Sequence, residues 1–206
     1  MFHNGKIKKG RLGFTLVELS IVLVIIGLII GGVLTGQQII QNARITNAVN
    51  GIQAYQAQFQ TYAQNYGVLP GDDPSAKDRF PNGGLTYTVL PNGDGKISEE
   101  ESPVVWAQLQ AAGLIKNSTT ANPPNPFSGT YSFHNGAFGV FTTTTLCIDK
   151  VPAYAAQVID SRLDDGSGNT GSVRSIKYVD GANVTTAADT LATYSDDKTY
   201  TMCVRM

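Results

Sequence analysis

Histidine and cysteine are scarce in this chain, and charge is thin. There are two His, two Cys and one Trp in 206 residues, and Asp, Glu, Lys and Arg make up only 15%, well below the usual quarter. One of the histidines, His3, lies in the first thirteen residues, which leaves His134 for the rest. No G-x-S-x-G, H-E-x-x-H or phosphate-binding loop is present, and the cysteines lack zinc-type spacing. Catalysis therefore has little to work with. The net charge of −1 argues against a basic nucleic-acid binder, and a 42% hydrophobic content excludes a disordered, highly charged chain. No proline occurs before Pro70, so nothing in the first third of the chain must break a helix.

The near-neutral total hides an asymmetry. Lys6, Lys8, Lys9 and Arg11 give the first thirteen residues +4, which leaves −5 for the remainder. Next comes FTLVELSIVLVIIGLIIGGVL, Phe14 to Leu34, whose only charge is Glu18. A helix of that length reaches about 30 Å, enough to cross a bilayer core. The basic stretch before it predicts a cytoplasmic N-terminus and places residues beyond the run across the membrane. A secretory signal peptide fits less well: the apolar run is too long, and Thr35-Gly36-Gln37-Gln38 is no A-x-A-like cleavage site. A plain uncleaved anchor accounts for all of this except Glu18 and the Gly13-Phe14 junction. An intramembrane carboxylate costs about 2.5–3.5 kcal/mol on insertion scales, so it needs a partner.

Lys-Gly-Arg-Leu-Gly13-Phe14-Thr15-Leu16-Val17-Glu18-Leu19-Ser20, followed by an Ile/Val/Leu run, resembles the N-terminus of type IV pilins and type II secretion pseudopilins over roughly residues 9–40. The resemblance implies that a membrane aspartyl (prepilin) peptidase cuts between Gly13 and Phe14 and that Phe14 becomes an N-methylated first residue. It implies that Glu18 neutralises the amine of a neighbouring subunit during assembly. A local reading stands beside it: four residues separate Glu18 from the Phe14 amine, one helical turn, so Glu18 can also pair with its own terminus and helix dipole. The partners implied are other pilins or pseudopilins, the peptidase, an inner-membrane assembly platform, and lipid before assembly. Localisation follows: a single-pass inner-membrane precursor, then a periplasmic or cell-surface filament. The fold implied is α+β and pilin-like, with a leader over 1–13, a long helix over 14–66 and a globular extracytoplasmic domain over 67–206.

The residues support that layout. Ile45, Val49, Ile52, Phe59, Tyr62 and Tyr66 recur at helical spacing among Gln and Asn, an amphipathic continuation of the apolar run. One helix from Phe14 to about Tyr66 would be about 80 Å long. Gly27, Gly31, Gly32 and Gly36 weaken it by up to about 1 kcal/mol each and suit close packing in membranes or local melting on assembly. From Gly67 on, turn residues dominate. Gly67–Gly84 reads as an extended loop, and Ser102–Ile115 as a helix with Ser102 as N-cap, Pro103 at its first position and Gly113 near its end. Asn122–Pro126 is a rigid connector. Thr130–Phe133 and Ala137–Ile148 read as a hairpin around His134-Asn135-Gly136, Ser172–Val179 and Lys198–Val204 as further strands, and Val151–Leu163 as a short helix or irregular turn. A small antiparallel sheet against the amphipathic half of the helix follows. Cys147 and Cys203 fall in strand-like runs. Outside the cytoplasm a disulfide between them is expected; two separate buried thiols are the alternative, and the C-terminal disulfide loop of many pilins strengthens the first.

One loop suggests a metal. Asn92-Gly93-Asp94-Gly95-Lys96-Ile97 through Glu101 fits part of a calcium-loop pattern: Asn92 and Asp94 fall at ligand positions, Lys96 at the backbone-carbonyl position and Glu101 at the bidentate position. Leu90 falls at the first ligand position and cannot coordinate. The plain alternative is an Asn-Gly and Asp-Gly turn before an acidic helix start. Asp160 through Gly166, with Asp164 and Asp165, is a second acidic loop. Asp72-Asp73 reads as a turn-forming pair. The sequons at Asn117 and Asn183 are read as unmodified. Rival functions are a non-polymerising, membrane-anchored binding module that takes calcium, and a tethered hydrolase using the loop acids.

Overall fold

The computed structural model describes residues 13–86, 89–116, 122–181, 184–186, 189–195 and 197–206. The expected leader through residue 12 and the sequon asparagines Asn117 and Asn183 lie outside these. The chain divides into two compact units, Met1–Asn42 and Ala43–Met206.

In the first unit everything described from Leu16 on is helix α1, which runs Leu16–Tyr66 and continues into the second unit. It stays helical through Gly27, Gly31, Gly32 and Gly36, and a Cβ at any of them would meet nothing within 4 Å among the described residues. The apolar stretch is long enough to cross a membrane, and none of it is buried.

In the second unit α1 turns one stripe inward. Ile45, Ala48, Val49, Ile52, Phe59 and Tyr62 are buried, and Tyr66 packs against the same core. This is the stripe expected from helical spacing. Helix α2, Ala76–Arg79, interrupts the expected Gly67–Gly84 loop. It is anchored from outside: Arg79 meets Asp73 at 2.6 Å, and Tyr62 Oη donates to the same carboxylate at 2.8 Å. Asp72 and Asp73 are both buried, more than a turn-forming pair requires.

Helix α3, Ser102–Ala111, has Glu101 at its N-cap and Pro103 one position further in than expected. It ends at Gly113 (φ +72°), where Leu114 N–H reaches Leu109 O at 3.0 Å and Gly113 N–H reaches Gln110 O at 2.9 Å, the paired bonds of a Schellman stop. Trp106 is fully buried, edge-on to Tyr55 at 4.9 Å. Gln108, also buried, ties the loop before α2, accepting from Gly71 N–H at 2.6 Å and donating to Asp73 O at 3.0 Å.

Strands β1 (Tyr131–Asn135), β2 (Thr144–Pro152), β3 (Val173–Lys177) and β4 (Thr199–Arg205) form one antiparallel sheet in the order β1-β2-β4-β3. Helix α4, Ala153–Leu163, follows β2 directly. The fold is α+β, with a long N-terminal helix and a small sheet. The expected tight hairpin differs. Asn135 pairs with Thr144, so residues 136–143 form a long connection containing a 3₁₀ turn, Ala137–Gly139. Apolar burial drives the change: Ala137, Phe138 and Phe141 bury themselves against Cys147 and Cys203. Gly51 admits a close helix–sheet approach, since a Cβ there would lie 2.6 Å from Tyr131 Oη.

Candidate processing and assembly site

Gly13 and Phe14 precede α1 and are exposed, Phe14 at 90%. A Cβ on Gly13 would meet nothing among the described residues, and its φ is not positive. Among the described residues, neither space nor backbone therefore demands glycine at 13.

Thr15 and Glu18 start the helix together. Thr15 Oγ1 accepts from Glu18 N–H at 3.2 Å, and Glu18 Oε2 accepts from Thr15 N–H and Thr15 Oγ1–H, both at 2.8 Å. This reciprocal pair is a capping box. Thr15 was not among the residues expected from sequence. The signal was present as Thr-x-x-Glu ahead of an apolar run. The Glu18 carboxylate thus has a local partner before any second subunit is present.

The residues proposed for a metal form one loop, held by a residue from far upstream. Asp72 Oδ1 accepts from Gly93 N–H at 2.6 Å and Asp94 N–H at 3.2 Å, and its Oδ2 accepts from Gly95 N–H at 2.7 Å. Asn92 Oδ1 accepts from Asp94 N–H, and Asp94 Oδ1 from Lys96 N–H, each at 2.9 Å. Glu101 accepts from Asn92 N–H at 3.2 Å and Ser98 N–H at 2.9 Å. Ile97 is buried and Leu90 exposed. Asp72 was read only as part of a turn-forming pair, because it lies 18 positions before Leu90. In the second acidic loop, one carboxylate oxygen each of Asp160, Asp164 and Asp165 lie within 4.8 Å of one another. Tyr194 donates to Asp160, and Ser172 and Val173 N–H donate to Asp164.

Cys147 and Cys203 are directly opposed on β2 and β4 and form a disulfide, with Cα atoms 4.0 Å apart.

His134 is the fourth residue of β1, not a surface turn residue. Its Nε2 lies 2.9 Å from Ser132 Oγ, while Nδ1 is buried without a partner. Burial pushes its pKa down to about 4. The unfolded value is about 6.5, so the neutral ring stabilises the fold fully above that pH, and the contribution is lost as pH falls toward 4. Between pH 7 and 4.5 this amounts to about 2–3 kcal/mol. His134→Gln is expected to unfold in urea with a correspondingly shallower pH dependence. Parallel pH slopes for the two chains would refute the assignment.

The prokaryotic N-terminal methylation motif matches residues 8–34, across this junction and the first turns of α1. The chain carries the type IV pilin and pseudopilin signature. Among curated proteins none matches the chain significantly. The match agrees with the exposed apolar helix and the disulfide.

Proposed function

We propose that this protein is a non-enzymatic structural subunit of a bacterial type IV pilus or type II secretion filament. It inserts in the inner membrane with its N-terminus cytoplasmic. Prepilin peptidase cuts after Gly13, Phe14 is N-methylated, and the subunit passes through the assembly platform into a filament built around its N-terminal helix. The observation that carries this reading is the methylation motif, which runs into a capped helix whose apolar first stretch is exposed. Gly13 supports it too: with no need for glycine among the described residues, its value lies in close approach by another backbone, that of the peptidase. Gly13→Val is expected to leave a longer, unmethylated precursor in the membrane. Intact-mass spectrometry of the native chain decides the matter: a mature mass that still includes residues 1–13 would replace the filament reading with that of a membrane-anchored module.

A second reading concerns calcium. Asp72 favours it, because it brings a buried carboxylate to a loop whose own first ligand position holds Leu90. Asp72, Asn92, Asp94, the Lys96 carbonyl and Glu101 make an all-oxygen donor set, the kind calcium takes. The side-chain oxygens of Asp72, Asn92, Asp94 and Glu101 already accept backbone N–H bonds, so the site would be weak, with Kd about 10⁻⁴–10⁻³ M. At about 5 mM calcium such a site adds about 1–2 kcal/mol, a rise of about 3–8 °C in melting temperature. A soluble fragment beginning at Ala43 is expected to melt lower with chelator than with calcium, and Asp94→Ala to remove the difference. Identical melting with calcium and chelator would leave only the turn.

A further inference from the structure

We infer that the groove beside Phe59 and Met206 receives the Val179–Asp180 turn of a second copy of this chain, so that the globular units stack head to tail. This rests on the filament reading above. A subunit in an open helical filament needs two different, complementary patches, because a heterologous contact repeats without closing.

The groove, about 420 Å³, is lined by Phe59, Gln60 and Ala63 of α1, by Leu69 and Met206, and by Lys96. Asn135 and Thr144 also border it. That places it at the sheet end where Asn135 faces Thr144 and Thr145 faces Arg205. Its walls are mainly apolar. Lys96 is exposed and forms no ion pair among the described residues.

The opposite sheet end, where Lys177 faces Tyr200 and Pro152 faces Thr199, leads into Tyr178-Val179-Asp180-Gly181. Val179 is 58% exposed. Asp180 is exposed beside it, accepting from Tyr178 Oη at 2.7 Å. Leu90 and Val140 are also exposed, but Leu90 belongs to the segment leading to Lys96 and Val140 to the connection between β1 and β2, at the groove's own end. Among the described residues, Val179 alone joins an exposed aliphatic side chain to an acid at the far end, which suits an apolar groove carrying a lysine.

The test uses the full-length chain in a strain without the native copy. Gln60→Cys combined with Val179→Cys, oxidised in sheared filaments, is expected to give a detergent-resistant ladder of multimers, with the 60–179 link identified by peptide mass spectrometry. Neither single variant should ladder. Lys96→Glu is expected to lower filament yield about tenfold or more by setting two acids against each other, with normal membrane levels. Adding Asp180→Lys should restore the yield. Filaments that assemble without the ladder, or a charge swap that restores nothing, would overturn the stacking contact while leaving the filament reading intact. Absence of any filament from the unmodified chain would remove the filament reading, and the contact with it.

Discussion

A Glu18→Gln chain is expected to insert in the membrane and be cleaved normally, yet to fail to enter filaments when it is the only copy. The capping box makes glutamine the informative replacement. Glu18 already accepts from Thr15 N–H and Oγ1–H within its own helix, and glutamine at this third helical position closes the same box. The Phe14–Thr15 peptide survives cleavage after Gly13, so this local role persists in the mature chain. If it were the whole role, Glu18→Gln would assemble well. Thr15→Val would then carry the larger defect, because losing a cap costs about 0.5–2 kcal/mol. If Glu18 also neutralises the Phe14 amine of a neighbour, glutamine leaves a cation unpaired in an apolar filament interior. Breaking a buried pair costs about 3–5 kcal/mol, a loss of about a hundred- to a thousandfold or more per contact. Glu18→Asp keeps the charge but shortens the reach, and an intermediate yield is expected. Comparing sheared and membrane fractions of each variant, with intact masses to verify cleavage, separates the two roles. Normal filament yield from Glu18→Gln would confine Glu18 to capping.

Elements with strong local signals were legible in the sequence. The stripe from Ile45 to Tyr62 is buried as its spacing requires, and β3 and β4 fall within two residues of their expected bounds. The turn after β1 was not legible. His134-Asn135-Gly136 has hairpin chemistry, but the gain from burying Phe138 and Phe141 against the disulfide outweighs it and lengthens the connection. Helix α2 was missed because four residues carry no periodicity, and its anchor, Asp73 to Tyr62 and Arg79, is tertiary. The site divides in the same way. Gly13, Phe14 and Glu18 lie in one short motif and stand out as candidates from sequence, and Thr15 does so once the box is recognised. Asp72 is not, since only the folded chain brings it to Gly93 and Gly95.

Cys203→Ser is expected to lower the stability of Ala43–Met206 by about 4 kcal/mol. The bridge links residues 56 apart, and the loss of loop-closure entropy in the unfolded chain gives about that value in the chain-entropy model. For a unit of this size the melting temperature should fall by about 8–16 °C. The effect should not be confined to the ends of the chain, because β2 and β4 are the two central strands and Cys147 faces Cys203 directly. The sulfurs form part of a small second core with Ala137, Phe138 and Phe141, against which Ile176 and Val184 pack. Serine would bring a hydroxyl into that cluster and leave Cys147 as a lone thiol. A Cys147→Ala, Cys203→Ala double variant separates the two effects: it removes the bridge and leaves no buried hydroxyl or thiol. If chain entropy dominates, the double variant loses nearly as much stability as Cys203→Ser. If the unpaired polar group dominates, it recovers most of the loss. The two sulfurs are bonded to each other, so unreduced native protein should give no thiol labelling even after denaturation. Stoichiometric labelling of the denatured, unreduced chain would show that the bridge does not form, and a melting temperature within about 2 °C of the parent for both variants would show that it contributes little to stability.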